Sequence, residues 1–172
     1  MIKLNNNSTY STDYIYKDEN IIIKPFTTIY KGTSINDNTF IGHNVLIREN
    51  CKIGKGCKIG SYSEIAFSCE IYDNTIIHSK SFICENTIIE DNVFIGPGVI
   101  LTNSKYPNQM DSKNNLKSPI ILSNAKIGAG SIILPGVIIG KNSLVGAATI
   151  VTKNIPDNSI AYGSPLIIKD AK

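Results

Sequence analysis

Residues 77–101 read IHSKSFICENTIIEDNVFIGPGVIL, and in this stretch every sixth residue is isoleucine or leucine. The same column extends backwards to residue 23 without a gap and resumes after an interruption. A small or β-branched residue stands two positions before almost every member of the column. The full set of anchors is Ile23, Ile29, Ile35, Ile41, Ile47, Ile53, Ile59, Ile65, Ile71, Ile77, Ile83, Ile89, Ile95, Leu101, Ile121, Ile127, Ile133, Ile139, Val145 and Val151.

The period of six predicts an all-β solenoid. Steps of six do not keep one face of a helix that has 3.6 residues per turn. One buried anchor, a small residue and turn-forming residues in each unit are instead typical of a short strand followed by a corner. Such units bury their anchors only by stacking on neighbouring coils, about 4.8 Å apart. We therefore expect a parallel β-helix.

Composition and charge exclude several classes of function. The chain has 172 residues, 42% of them hydrophobic, which fits one globular domain. A net charge of +3 from scattered lysines gives no reason to expect nucleic-acid binding. There is no apolar run of the roughly 18 residues that a membrane span needs, and no signal-peptide core at the start. We expect a soluble, cytoplasmic protein with no membrane partner.

The cysteines follow the repeat and not a ligand motif. Cys51, Cys57 and Cys69 all stand two positions before an anchor, in the column of small residues. Buried free thiols are the simplest interpretation, because free cysteine packs as a small hydrophobe. With only two histidines, the chain cannot supply a three-histidine zinc site. We expect no bound metal.

We expect a single domain, 1–172. Interruptions of the six-residue period divide it into segments. Twenty residues separate Leu101 from Ile121, so fourteen residues are inserted there, and such an insertion in a solenoid is usually functional. The predicted segments are an irregular cap at 1–20, coils at 21–101, a loop at 102–119, further coils at 120–155 and a tail at 156–172.

The repeat resembles that of the hexapeptide-repeat acyltransferases, in which three hexapeptides form one coil of a single-stranded, left-handed parallel β-helix. The stretch 89–107, IEDNVFIGPGVILTNSKYP, is similar to the nucleotide-linked amino-sugar N-acetyltransferases of that superfamily. Thr102 and Asn103 match their Thr-Asn pair. Ser104 and Asn108 depart from the acidic residue and the arginine that are usual in the family.

The resemblance implies an acceptor site at the insertion. The asparagine that matches Asn103 contacts the sugar amine in that family, and an acidic residue one coil earlier, here Glu85, lies beside it. His78 is a weaker candidate for a general base or a substrate contact, because imidazole titrates near neutral pH. Lys105 and Tyr106, in the same stretch, are expected to contact the sugar nucleotide.

The C-terminal coils resemble the acetyl-CoA groove of the family. The stretches 127–140 and 145–156 contain small residues, Ala129 and Ala147, that would let the pantetheine arm approach the backbone. Thr152 and Lys153 match a pair that meets the phosphates. Members of the family are homotrimers with sites between subunits, and the resemblance implies the same here.

The sequence thus predicts a CoA-dependent N-acetyltransferase acting on a nucleotide-linked amino sugar, most simply a dTDP-3-amino-3,6-dideoxy sugar, for bacterial surface glycans. One alternative is an O-acetyltransferase of a sugar or serine. Another is a β-helical binding or assembly module without catalysis. His43, which follows a corner glycine early in the array, is expected to be structural.

Overall fold

A computed structural model describes residues 1–4, 6–10, 14–16, 20–108 and 115–170. These residues form short strands joined by turns, with no helix among them. Among them there is accordingly no apolar helix of membrane-spanning length. The strands are β1 Ile2–Lys3, β2 Ser8–Tyr10, β3 Tyr14–Tyr16, β4 Ile21–Ile23, β5 Thr27–Ile29, β6 Ser34–Ile35, β7 Phe40–Ile41, β8 Leu46–Ile47, β9 Lys52–Ile53, β10 Lys58–Ile59, β11 Glu64–Ile65, β12 Glu70–Ile71, β13 Ile76–Ile77, β14 Phe82–Ile83, β15 Ile88–Ile89, β16 Phe94–Ile95, β17 Ile100–Leu101, β18 Ile120–Ile121, β19 Lys126–Ile127, β20 Ile132–Ile133, β21 Ile138–Ile139, β22 Leu144–Val145, β23 Ile150–Val151, β24 Ser159–Tyr162 and β25 Ile167–Asp170.

The strands form three sheets that run the length of the molecule. Sheet I has the order β25-β24-β22-β19-β16-β13-β10-β7-β4-β3, sheet II β2-β5-β8-β11-β14-β17-β20-β23, and sheet III β1-β6-β9-β12-β15-β18-β21. Each central strand pairs in parallel with the strand three places later, as Lys58 does with Ile76. Three hexapeptides therefore make one coil, and the prediction of a left-handed parallel β-helix is confirmed, with about seven turns.

The core is the column of anchors. All twenty predicted anchors are no more than 2% exposed. The small residues two positions before them are also buried, and all four cysteines are free and buried, as predicted for Cys51, Cys57 and Cys69. Burying one such aliphatic side chain contributes about 1.5–3 kcal/mol, so the repeat itself supplies the hydrophobic stabilisation of the fold.

Each coil turns at three corners, which we name by the sheets they join: I/II, II/III and III/I. One residue at each regular corner has a positive φ, and corner III/I fills this position mainly with asparagine. Asparagine tolerates the left-handed conformation better than other residues with a Cβ atom. Stacked side chains also hydrogen-bond along this corner, as from Asn124 Nδ2 to Asn142 Oδ1 at 3.1 Å.

The N-terminal segment is more regular than we predicted. Strands β1, β2 and β3 pair antiparallel with β6, β5 and β4, so each sheet gains one strand at this end of the helix. Their partners in the first coil would otherwise expose unpaired backbone groups at an edge. The rest of the expected cap, residues 5, 11–13 and 17–19, lies outside the described residues.

The array also continues beyond its predicted end at residue 155. Ile155 forms a parallel bridge to Ile139, sixteen residues earlier, where a full coil would need eighteen. The last coil is therefore two residues short, and this shortening hides it from a strict count of six. Ala161 then takes an anchor position at 0% exposure, and β25 folds back antiparallel onto β24.

The insertion leaves the helix between β17 and β18, at corner II/III. The described residues of the predicted loop, 102–108 and 115–119, contain no strand, and residues 109–114 lie outside the description. Pro119 is buried two positions before Ile121, where the repeat places its small residue. The loop therefore returns to the helix in register.

Candidate active site at the insertion corner

Glu85 and Asn103 meet at corner II/III. Each stands two positions after an anchor, and their strands β14 and β17 pair in parallel through Phe82 and Ile100. The register therefore stacks the two residues on adjacent coils. Asn103 Nδ2 donates a hydrogen bond of 2.7 Å to Glu85 Oε2, and Asn103 is only 9% exposed. The structure thus brings together the two residues expected to face the acceptor amine.

The returning end of the insertion is hydrogen-bonded to Glu85, to Asn103 and to the next coil. The backbone N–H of Lys117 donates to the carbonyl oxygen of Asn103 at 2.8 Å, and the N–H of Gly136 donates to that of Lys117 at 2.6 Å. The hydroxyl of Ser118 donates to the carbonyl oxygen of Glu85. Our sequence reasoning missed Lys117 and Ser118. They precede the anchor Ile121 by the same number of residues by which Glu85 and Asn86 precede Ile89, and this offset would have placed them at the corner.

His78 does not join this pair. It is an exposed residue at corner I/II, on the other side of strand β14 from Glu85. Its ring packs at a tilt of 56° against Phe94 in the next coil, with 5.0 Å between the ring centroids. Within one chain, sheet II separates His78 from Asn103.

Ala129 and Ala147 lie on the same corner as His78, two and three coils further along. Both are exposed, and the coils approach each other closely here: a Cβ atom on Gly96 would lie 2.7 Å from Ala129 N, and one on Gly128 would lie 2.4 Å from Ala147 N. Around Ala129 and Ala147 the corner therefore presents closely stacked backbone that carries only small side chains, which suits an extended ligand arm.

The other predicted coenzyme residues, Thr152 and Lys153, lie on corner II/III. They follow β23 and are exposed, two coils beyond Asn103 on the same corner. The predicted coenzyme residues are therefore divided between two corners of one chain. Lys105 and Tyr106 lie in the insertion; both are exposed, and Lys105 Nζ is 5.5 Å from the centroid of the Tyr106 ring.

An apolar strip fills the outer face of sheet II between these two corners. The strip consists of Phe82, Ile100, Ile132 and Ile150, the outward residues of four successive strands. Ile100 and Ile150 are 42% and 39% exposed. A continuous apolar strip on a surface usually marks an interaction site.

The remaining candidates add no further chemistry. His43 lies exposed on corner I/II, where its backbone N–H donates to Ser61 Oγ at 3.0 Å. Across the described ranges, no group of three or more His, Cys, Asp or Glu side chains is arranged to hold a metal ion.

Comparison with known proteins finds one family model that matches two segments of the chain. Residues 32–67 and 118–153, on either side of the insertion, match the family described as bacterial transferase hexapeptide (six repeats). The two matched segments lie in the coils of the β-helix and together cover less than half of the chain.

Its relatives are acetyltransferases. The galactoside O-acetyltransferase of Lactococcus lactis is 43% identical over 53 residues, 31% of this chain and 26% of the relative. The dTDP-3-amino-3,6-dideoxy-alpha-D-galactopyranose 3-N-acetyltransferase of Aneurinibacillus thermoaerophilus is 40% identical over 50 residues, 29% of this chain and 26% of the relative. The matches to these curated relatives span about a quarter of their length.

A solved structure extends the likeness over most of the fold. A galactoside acetyltransferase in complex with coenzyme A superposes with a TM-score of 0.58 and 28% identity. The match covers 82% of this chain and 66% of that protein. Most of this β-helix therefore has a counterpart in a protein whose structure was solved with coenzyme A.

Proposed function

We propose that the protein is an acetyl-CoA-dependent acetyltransferase whose acceptor is the amine of a nucleotide-linked sugar, of the dTDP-3-amino-3,6-dideoxyhexose class, used for a bacterial surface glycan. The hydrogen-bonded pair of Glu85 and Asn103 at the insertion corner carries this proposal. The relationship to a 3-N-acetyltransferase of such a sugar supports it.

The pair suits an amine acceptor. A carboxylate accepts hydrogen bonds from N–H groups, and the amide oxygen of Asn103 can accept another while its nitrogen holds Glu85. Two acceptors would orient the hydrogens of a neutral amine and aim its lone pair at the thioester. The nitrogen then bonds to the acetyl carbon, the carbon–sulfur bond breaks, and the nitrogen loses a proton as the CoA sulfur leaves. Backbone N–H groups at the groove would stabilise the oxyanion.

The division of the predicted coenzyme residues between two corners supports a site shared between copies. Ala129 and Ala147 line one edge of sheet II, whereas Glu85, Asn103 and Lys153 line the other. In a cyclic trimer, one edge of each copy faces the opposite edge of its neighbour, because head-to-tail interfaces close into rings. The two halves of the site would then meet, and the apolar strip would be buried between copies.

In this arrangement His78 would stand on the coenzyme side of the shared site. It occupies the same corner as Ala129 and Ala147, and its exposed imidazole is free to approach a neighbouring copy. The unprotonated nitrogen of a neutral imidazole can accept the proton that the amine loses. We assign it this accessory role, behind Glu85 and Asn103.

O-acetylation is the second candidate, and the relationship to a galactoside O-acetyltransferase favours it. A pair of acceptors decides between the two. The protein is incubated with acetyl-CoA and either a dTDP-3-amino-3,6-dideoxyhexose or the same nucleotide sugar with a hydroxyl at C3. UDP-amino sugars and free galactosides are tested in parallel. The acetylated products are detected by mass spectrometry.

We expect the amine to gain one acetyl group and its hydroxyl counterpart to remain unchanged. Acetylation of hydroxyl acceptors alone would establish the O-acetyltransferase instead. Failure to bind acetyl-CoA in calorimetry, with no product from any acceptor, would leave the binding or assembly module as the function.

A further inference from the structure

The regular coils share one hydrogen bond at corner II/III. At this corner, the residue with positive φ donates its backbone N–H to a carbonyl oxygen of the preceding coil. The acceptor is the residue that comes just before the positive-φ residue of that coil. Ser68 N donates in this way to Glu49 O at 2.9 Å, and Asn86 N to Phe67 O at 3.1 Å. This hydrogen bond ties each corner residue to the next coil.

The insertion interrupts the pattern at Glu85. The next residue in this series would donate its N–H to Glu85 O, but among the described residues that oxygen receives its hydrogen bond from the hydroxyl of Ser118. Ser118 occupies the place that Asn86 occupies one coil earlier, once the fourteen inserted residues are discounted. A side-chain hydroxyl therefore replaces a backbone donor at the coil that carries the candidate carboxylate.

Ser118 is also part of the attachment of the whole insertion. Its neighbour Lys117 lies between Asn103 O and Gly136 N, in contact with the coils on both sides. Ser118 itself is half-buried, and the following Pro119 is buried in the column of small residues. The returning end of the insertion thus contacts the backbone of both members of the candidate pair, Glu85 through Ser118 and Asn103 through Lys117.

We propose that Ser118 is a positioning residue for acetyl transfer, acting by fixing the backbone of Glu85 so that its carboxylate faces Asn103 and the acceptor amine. The inference rests on the proposed function, since it concerns the same site. A carboxylate must be held closely to orient a reacting amine, and small misplacements are costly for the rate of reaction. Without the hydroxyl, the Glu85 carbonyl loses its partner beside the site.

Three variants test the proposal. Ser118→Ala removes the hydroxyl, and Ser118→Thr restores it. Ser143→Ala is the matched control, because Ser143 Oγ donates to Gly140 O at 2.6 Å at corner III/I, away from the candidate site. We expect Ser118→Ala to lower kcat about tenfold, the scale of one hydrogen bond, with the KM for acetyl-CoA unchanged. Ser118→Thr should recover most of kcat, and Ser143→Ala should keep the wild-type rate.

A measurement independent of turnover separates this inference from the proposed function. Amide hydrogen exchange across residues 115–120 should accelerate in Ser118→Ala and stay normal in Ser118→Thr and Ser143→Ala. Unchanged exchange in Ser118→Ala would overturn the inference even if the wild type is active. An unchanged kcat in an active Ser118→Ala enzyme, or a loss equal to that of Ser143→Ala, would also overturn it. If the wild type were inactive on every acceptor and the exchange still changed as expected, the proposed function and the positioning role of Ser118 in acetyl transfer would be overturned. The structural contact of Ser118 with Glu85 would stand.

Discussion

The buried cysteines show how the repeat controls chemistry at the scale of single residues. Burial raises the pKa of the Cys57 and Cys84 thiols to about 11, so both stay protonated at neutral pH. A protonated, inaccessible thiol is neither a nucleophile nor a metal ligand. These residues therefore act as core side chains.

We predict that native protein at pH 7.5 resists alkylation at all four cysteines. Iodoacetamide should add no mass to the folded protein and four carbamidomethyl groups in guanidinium chloride, because all four thiols are free and buried. Rapid labelling of any cysteine in the native state would contradict the assignment of these residues to the core.

The insertion residues show which contacts the six-residue period does not predict. Glu85 and Asn103 could be placed on adjacent coils because eighteen residues separate them. Ser118 lies 33 residues after Glu85, so a count forward from Glu85 does not find it, and only a count back from Ile121 places it at this corner. Its partner is a backbone carbonyl, and a contact of that kind depends on where a loop returns and leaves no side-chain pattern in the sequence.

Among the structural elements, the corners differ in how they accommodate the left-handed conformation. Corner III/I uses asparagine or glycine at this position, whereas corner I/II places Phe26 and Tyr62 there, with φ of 63° and 62°. Both side chains are more than 60% exposed, so they gain little from packing within the chain. A bulky residue in this conformation costs roughly 1–2 kcal/mol.

Replacing Tyr62 by asparagine should therefore stabilise the fold. We expect Tyr62→Asn to raise the free energy of unfolding by about 0.5–1 kcal/mol, since asparagine adopts positive φ more readily. Urea unfolding monitored by circular dichroism measures the change, with Asn74→Ala at corner III/I as a control that should be destabilised. A less stable Tyr62→Asn variant would show that the tyrosine makes a contact worth more than its strain.

The two ends of the helix were predicted less well than its middle. The anchors from Ile23 to Val151 follow from hydrophobic burial in a fixed period, which a sequence displays directly. The N-terminal strands pair through backbone groups and need no such period. The last coil is two residues shorter than the others before Ile155, so its buried residues do not lie at multiples of six from the earlier anchors. Ile155 and Ala161 are nevertheless buried.

At the scale of the whole molecule, the apolar strip on sheet II should determine assembly. We predict that the protein has three times its chain mass of 18.8 kDa in light scattering at micromolar concentration. Ile100→Lys should weaken the assembly because it places a charge in an apolar interface. Lys126→Glu, an outward residue of sheet I, is the control and should leave the mass unchanged. A monomeric wild type would contradict a site shared between copies.

The central claim is that the pair formed by Glu85 and Asn103 holds the acceptor, and the acetyl-transfer rate of Asn103→Ala tests it most directly. The variant removes the amide that donates to Glu85 and that, in the proposed function, contacts the amine. We predict a fall in kcat/KM for the amino sugar of about 100-fold, a loss of ~2.7 kcal/mol of transition-state stabilisation, with unchanged affinity for acetyl-CoA. An Asn103→Ala enzyme that acetylates the amino sugar at the wild-type rate would show that the acceptor binds elsewhere.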